Sequence, residues 1–348
     1  MKKIILFNHK GGVSKTTTVF HLGWMLATLG KKTLLVDADP QCNLTSLFLG
    51  EEFDSYYENS STKNENIKDA VAKAFNGTTE PITAVTCPNA KRNKNLFLLP
   101  GHMNLSEFDA QLTFSQTAAN AFSSLKSLPG SFNDLIVKTA ERFSIDYVII
   151  DLNPGLSSIN QNLFMISDGF IIPTNPDTFS LMALKSLSQI LPKWINWKNE
   201  NIGLFRDSAY PLPEPTPKFL GEISQRFNIR NGIPTSPFRS KIEELKCVTV
   251  ETLIPQLSKA NMLLSEKQYL ESGLLKNGYV LAEIKDFQGL APKSHKANVP
   301  VFALSDKELD ENGQVLENMK NNRDHFRAIY DKIASVILQL LPDENADK

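Results

Sequence analysis

The sequence predicts an α/β fold, a doubly wound and mostly parallel sheet flanked by helices. Three observations carry that expectation. An apolar strand runs into a glycine-rich loop and then a helix. Short buried-strand patterns recur along the chain, and helix-length segments stand between them. A strand, a helix and a second strand in that order require a crossover, and the crossover makes the two strands parallel.

Residues 3–8 (Lys-Ile-Ile-Leu-Phe-Asn) form the first strand and end in turn chemistry. Thr16 to Leu29 carries Val19, Leu22, Leu26 and Leu29 at helical spacing, and Gly30 stops it. Lys32 to Asp37 is the second strand. Residues 50–95 are polar, acidic at first and basic near Lys91, Arg92 and Lys94, and predict loops with a short helix at Ile67 to Phe75. Leu96 to Leu99 returns to the sheet, Asp146 to Asp151 is a central strand and Gly169 to Pro173 another. A helix over Phe179 to Trp194 follows. Pro211, Pro213, Pro215 and Pro217 make 206–217 a loop that no regular element can cross. Phe219 to Ser224 and Val299 to Leu304 read as late strands, and Leu316 to Leu341 as a closing amphipathic helix. The order fits a single domain over 1–348, with insertions near 50–95, 195–218 and 240–300.

Composition narrows the function classes. The chain has 348 residues, 41% apolar and 22% charged, and a formal net charge of −1, which excludes coating nucleic acid through bulk charge while leaving room for a local basic patch. Cys42, Cys87 and Cys247 form neither a metal-ligand spacing nor an even disulfide set, so a reducing compartment is expected. Met-Lys-Lys followed by Ile4 to Phe7 is too short for a signal peptide. No stretch of about 18 apolar residues appears. These features predict a cytoplasmic protein.

The informative segment is Lys10-Gly11-Gly12-Val13-Ser14-Lys15-Thr16-Thr17. Glycines let a backbone fold tightly so that its N–H groups converge on phosphate oxygens, and the helix that follows adds its positive end. Lys15 supplies a full charge to the β- and γ-phosphates, and the Thr16 hydroxyl can ligate Mg²⁺. The strict G-x-x-x-x-G-K-[ST] motif is not met, because His9 and Ser14 stand where it wants glycine. Asp37-Ala38-Asp39-Pro40-Gln41-Cys42-Asn43 closes the second strand, at the sheet edge where ligands of such folds bind. Asp146-Tyr147-Val148-Ile149-Ile150-Asp151 sets another aspartate at a strand end.

Lys-Gly-Gly-x-x-Lys-Thr-Thr resembles the deviant Walker A box of the ParA/MinD/nitrogenase iron protein family of P-loop NTPases, and most closely its ParA/Soj-like partition ATPases. The resemblance implies an ATPase that uses ATP and Mg²⁺. It implies that Lys10 is the signature lysine reaching a partner's phosphates in an ATP-bound homodimer. Ser14 departs from the family's usual glycine. The aspartate box resembles the family's D-x-D-P-Q-x-N switch, in which the second aspartate, here Asp39, orients the attacking water; Asp37 then supports the Mg²⁺ shell. Asp146 to Asp151 looks like a Walker B strand, with Asp151 holding Mg²⁺ through water. Asn153 replaces the first proline that the family usually carries after it. Asp168-Gly169-Phe170-Ile171-Ile172-Pro173-Thr174-Asn175-Pro176 resembles a further family segment, making Asn175, Pro176 and, after the next strand, Gln225 candidates for the adenine edge. The likeness is strong over 1–50, moderate over 96–195, and thins beyond 219.

The resemblance further implies a nucleotide-switched positioning protein, whose ATP dimer binds nonspecific DNA, which can place it on the nucleoid, and whose release a ParB-like partner stimulates. Arg226, Arg230, Arg239 and Lys241 could supply basic contacts. A MinD-like membrane role needs a basic amphipathic C-terminal helix, whereas this chain ends Leu341-Pro342-Asp343-Glu344-Asn345-Ala346-Asp347-Lys348, so no membrane binding is expected. Alternatives are a synthetase on the same fold, which would need an organic-substrate pocket, and a regulatory ATPase of a plasmid, phage or defence operon. An iron–sulfur reductase is disfavoured, since the three cysteines do not resemble that branch's cluster loops.

Overall fold

The computed structural model describes residues 1–118, 123–227, 229–230, 233–234 and 236–343. In chain order, β1 (Lys2–Leu6), α1 (Lys15–Thr28) and β2 (Thr33–Ala38) form the first β–α–β unit. The helices α2 (Asn43–Leu49), α3 (Phe53–Glu58) and α4 (Ile67–Phe75) follow, then β3 (Asn89–Ala90) and β4 (Asn93–Leu99). Helices α5 (Asp109–Ala118) and α6 (Leu128–Phe143) lead to β5 (Tyr147–Leu152), α7 (Ser158–Met165), β6 (Gly169–Thr174) and α8 (Thr178–Phe205). β7 (Lys218–Phe227) precedes a small hairpin, β8 (Ile229–Arg230) with β9 (Ile233–Pro234). Then come α9 (Ser236–Val248), α10 (Ile254–Lys259), α11 (Glu266–Glu271) and β10 (Val280–Lys285). α12 (Leu290–Ala297), α13 (Asp306–Leu309) and α14 (Gly313–Leu340) complete the chain.

Eight strands join in the order β10-β7-β6-β1-β5-β2-β4-β3, all parallel except the antiparallel β3–β4 pair. The α/β fold, doubly wound and mostly parallel, is therefore present. β2, β5 and β6 are buried at every residue, because helices cover both faces, and their sequences are accordingly near-continuous apolar runs. Each fully buried Leu, Ile or Phe contributes about 1.5–3 kcal/mol relative to an exposed one. α1 is buried round most of its circumference, between the sheet and α14. Its close approach to the sheet depends on Gly23, where a Cβ would lie 2.3 Å from Leu35 Cδ2.

Three readings are corrected. Val299 to Leu304 is no strand: Pro300 lacks the N–H a ladder needs, and Val301–Ala303 coil into a 3₁₀ turn instead. The edge strand is β10, inside the stretch read as an insertion at 240–300, where Glu283 and Lys285 interrupt the apolar pattern because an edge faces water. α8 runs past Trp194 through Pro192 to Phe205, into the region assigned to 195–218 as insertion. The closing helix and the helix at 67–75 stand where the periodicity placed them.

Candidate phosphate-loop site

Parallel strands aim their carboxyl ends at one edge, and the order reverses around β1, which lies between β5 and β6. The loops after β1, β2, β5, β6, β7 and β10 therefore meet. Residues 7–14 after β1 wrap the start of α1. Gly12 has φ 73° and Ser14 φ 57°, and this recurrent left-handed geometry turns successive N–H groups inward. Ser14 thus occupies the backbone region that a glycine would take freely, at a cost of about 1–2 kcal/mol.

Lys15 is buried, and its ammonium donates to the carbonyls of Asn8 at 2.9 Å and Lys10 at 3.2 Å. Burial lowers its pKa, and Asp151 and Asp39 oppose that shift. Asp151 is fully buried, and neither carboxylate oxygen makes a hydrogen bond. Burial, then the charge of Asp37, raises its pKa well above the carboxylate range, while the neighbouring Thr16 hydroxyl and Lys15 pull it back. An orphaned buried carboxylate beside a threonine hydroxyl suits a hard cation. Among the described residues no three His, Cys, Asp or Glu gather into a metal cage. Mg²⁺ arriving with phosphates needs only one or two protein carboxylates, so these residues fit it.

Asp37 is spent differently. Its Oδ2 accepts from the Thr45 N–H at 2.8 Å and the Thr45 hydroxyl at 2.6 Å, and its Oδ1 accepts from the Asp39 N–H at 3.2 Å. Burial pushes its pKa up to about 6 against those donors. It braces the loop that carries Asp39. Asp39 Oδ1 accepts from the Gln41 N–H at 2.9 Å, and both residues line the cleft described below. Asn153 has a clear local role: Asn160 Nδ2 donates to its side-chain oxygen at 2.7 Å, fixing the turn in which Pro154 packs 3.7 Å from where a Gly11 Cβ would stand.

Lys10 does not face the cleft. Its ammonium pairs with Asp177 and lies 3.1 Å from the Ser180 hydroxyl, at the N-terminus of α8. The Asp177 side chain also caps α8 by accepting from the Ser180 N–H at 2.7 Å.

A cleft of about 380 Å³ runs from Gly12, Val13, Ser14, Lys15, Thr16 and Thr17 past Asp39, Gln41 and Pro154 to Gln225, Arg226, Ile284, Lys285, Asp286, Phe287, Ala291 and His295. Gln225 lines it, with Nε2 held by the Thr18 hydroxyl at 2.7 Å. Asn175 and Pro176, read as adenine candidates, do not: the loop after β6 crosses outside the phosphate loop, and Asn175 Nδ2 donates to the Gly12 carbonyl at 3.1 Å. Sequence reasoning missed the far end altogether, because residues 284–295 carry no motif and lie in the stretch assigned as an insertion. Arg226 is also reassigned. It lines the cleft and donates to the Gly12 carbonyl at 3.2 Å, so it is not part of an outward basic stripe. Lys241 is paired with Glu244, Arg239 is exposed, and the Arg230 side chain lies outside the described residues. Of the C-terminal tail, 344–348 also lies outside them, and no helix among the described residues is long and apolar enough to cross a membrane.

Known proteins share the family and the fold. The AAA domain model matches residues 1–204. The chain is similar to the Maintenance of carboxysome distribution protein A of Gloeothece citriformis, 29% identical over 83% of this chain and 95% of that one. It is 31% identical to the Sporulation initiation inhibitor protein Soj of Bacillus subtilis over 55% of this chain, a match spanning 63% of Soj. A plasmid partition protein of Borrelia burgdorferi, solved with AMPPNP, shares the fold over 98% of this chain at 19% identity and a TM-score of 0.56.

Proposed function

Since the chain belongs to the AAA domain family, and within it to the ParA/MinD-type deviant Walker A P-loop ATPases, we propose that it binds and slowly hydrolyses MgATP as a dimerisation switch. The observation that carries this reading is the buried trio of Lys15, Asp151 and Asp39 around an inward-turned loop. Phosphoryl transfer needs positioning and electrostatics more than a strong base. Lys15 would leave the Asn8 and Lys10 carbonyls for phosphate oxygens. Thr16 and Asp151 would hold Mg²⁺, which when bound neutralises charge developing between the β- and γ-phosphates. Asp39 would orient water.

Dimerisation follows from what surrounds Lys10. Phe179 and Met182 share one face at the start of α8 and are 69% and 62% exposed, and Leu156, in the turn beside Gly11, is exposed too. Large apolar side chains in the open beside a phosphate site mark an association surface. In the homodimer Lys10 would exchange Asp177 for the partner's phosphates. The dimer would then read nonspecific DNA, its paired faces doubling Arg239 and its neighbours, and a ParB-like protein would stimulate release. The relative named for the maintenance of carboxysome distribution supports a partition or cargo-positioning role.

Equilibrium titration tests the reading. Lys15→Ala abolishes MgATP binding. Asp39→Ala keeps it, and with MgATP binds nonspecific duplex in a salt-sensitive manner, because several phosphates are neutralised together. Wild-type affinity in Lys15→Ala removes the nucleotide assignment; no duplex binding by Asp39→Ala at low salt removes DNA and leaves a protein cargo.

A further inference from the structure

We infer that Asn175 and Arg226 are positioning residues that clamp the phosphate loop through a single atom, the carbonyl oxygen of Gly12. The inference rests on the nucleotide reading above. Its basis is geometric. Gly12 is exposed, at φ 73°, with nothing within 4 Å of the place a side chain would occupy, so no side-chain packing at Gly12 itself holds its peptide group. What holds it is two donors from different strands. Asn175 Nδ2, at the end of β6, lies 3.1 Å from that oxygen, and Arg226 Nη1, at the end of β7, lies 3.2 Å from it.

A trans peptide group is planar, so its C=O and N–H point in opposite directions. Fixing the Gly12 carbonyl outward therefore fixes the Val13 N–H inward, toward the phosphates. Without the clamp, a glycine is free to rotate that peptide and turn the donor away. Both clamping residues are themselves constrained. Asn175 is anchored by its own N–H, which donates to the Ser180 hydroxyl at 3.0 Å. Arg226 sits at φ 60°, a region that non-glycine residues seldom occupy, and this conformation accompanies the reach of its guanidinium over the loop. The loop after β6 thus holds Lys10 through Asp177 and Ser180 and Gly12 through Asn175, while β7 supplies the second grip.

Two donors on one acceptor make a specific prediction. Either alone still orients the carbonyl, so each single variant loses little and the double variant loses much. Asn175→Leu and Arg226→Ala each weaken MgATP binding about threefold, and the double variant weakens it by more than about thirtyfold, well beyond the product of the two. Arg226→Lys, which keeps a donor, recovers most of the affinity. In turnover the loss falls on KM and not on kcat, and the ligand-free melting temperature stays within about 2 °C of wild type, because the clamp acts on an exposed loop. Independent, multiplying effects would show that Arg226 meets the nucleotide itself, and would overturn the clamp. So would a double variant that binds as wild type does. If the wild type fails to bind MgATP, the nucleotide reading falls and takes the clamp with it.

Discussion

Lys198 shows how one residue can set a pH dependence far from the site. It is fully buried on α8 and donates to the carbonyls of Met165 at 2.7 Å and Pro215 at 2.6 Å, tying the proline loop to the helix layer. Burial, with the charge of Lys3, lowers its pKa to about 7 from the ordinary 10.5. The unfolded chain therefore binds more protons than the folded one between those values, so stability rises with pH across that window and is lowest below it. Lys198→Met removes the titrating group, and its melting temperature gains less than the wild type's between pH 7 and 10. Parallel profiles would contradict this. At the same scale, the main residues of the candidate site were legible because their chemistry is local: Lys15, Thr16, Asp39 and Asp151 announce themselves by type and spacing. Asn8, Thr45 and Arg226 were not, since their contacts (the Asn8 carbonyl with the Lys15 ammonium, the Thr45 N–H with Asp37, the Arg226 guanidinium with the Gly12 carbonyl) each use a backbone atom that only the fold brings near. His21 belongs with them. Its Nε2 accepts from the Val301 N–H at 3.1 Å, and burial lowers its pKa to about 3, so it is a neutral link between α1 and the chain after α12.

Elements were legible where they are buried on both sides. The strands at β1, β2, β5 and β6 follow from unbroken apolar runs, whereas edge strand β10 carries charges and lies in the stretch assigned as an insertion, and the apolar run at 299–304 reads as a strand that the fold does not contain. Proline breaks 206–217 as expected, while α8 absorbs Pro192 and runs on past Trp194 to Phe205. The proline loop is itself a packing partner. It lies on α6 at Gly130, where a Cβ would stand 1.9 Å from the Tyr210 carbonyl oxygen and 2.6 Å from that of Pro211. Those are backbone atoms, with no rotamer to change. Gly130→Ala costs about 1–3 kcal/mol by overpacking, and calorimetry reads it as a melting temperature lower by several degrees. Gly203, in α8 with nothing within 4 Å, is the control: Gly203→Ala gains up to about 1 kcal/mol from helix propensity. Equal effects at the two glycines would contradict the packing account.

At the scale of the whole molecule, the sheet gathers six loops on one edge, and that edge combines a phosphate loop, the aspartates after β2 and an exposed apolar face. The order of elements in the sequence was enough to place the first two. The far end of the cleft came from residues 225–295, which lie beyond the match to the family model and carry no motif that marks a contact. The switch account needs the chain to hold Lys10 away from its own cleft until a second copy arrives, and the pairing with Asp177 does so. In a closed interface two lysines meeting one triphosphate gain more than they would in water. Multi-angle light scattering with and without MgATP is the most direct test. The wild type shifts from monomer to dimer with MgATP and not with MgADP, while Lys10→Ala binds nucleotide with near wild-type affinity and stays monomeric; a Lys10→Ala chain that dimerises with MgATP as the wild type does would contradict the account.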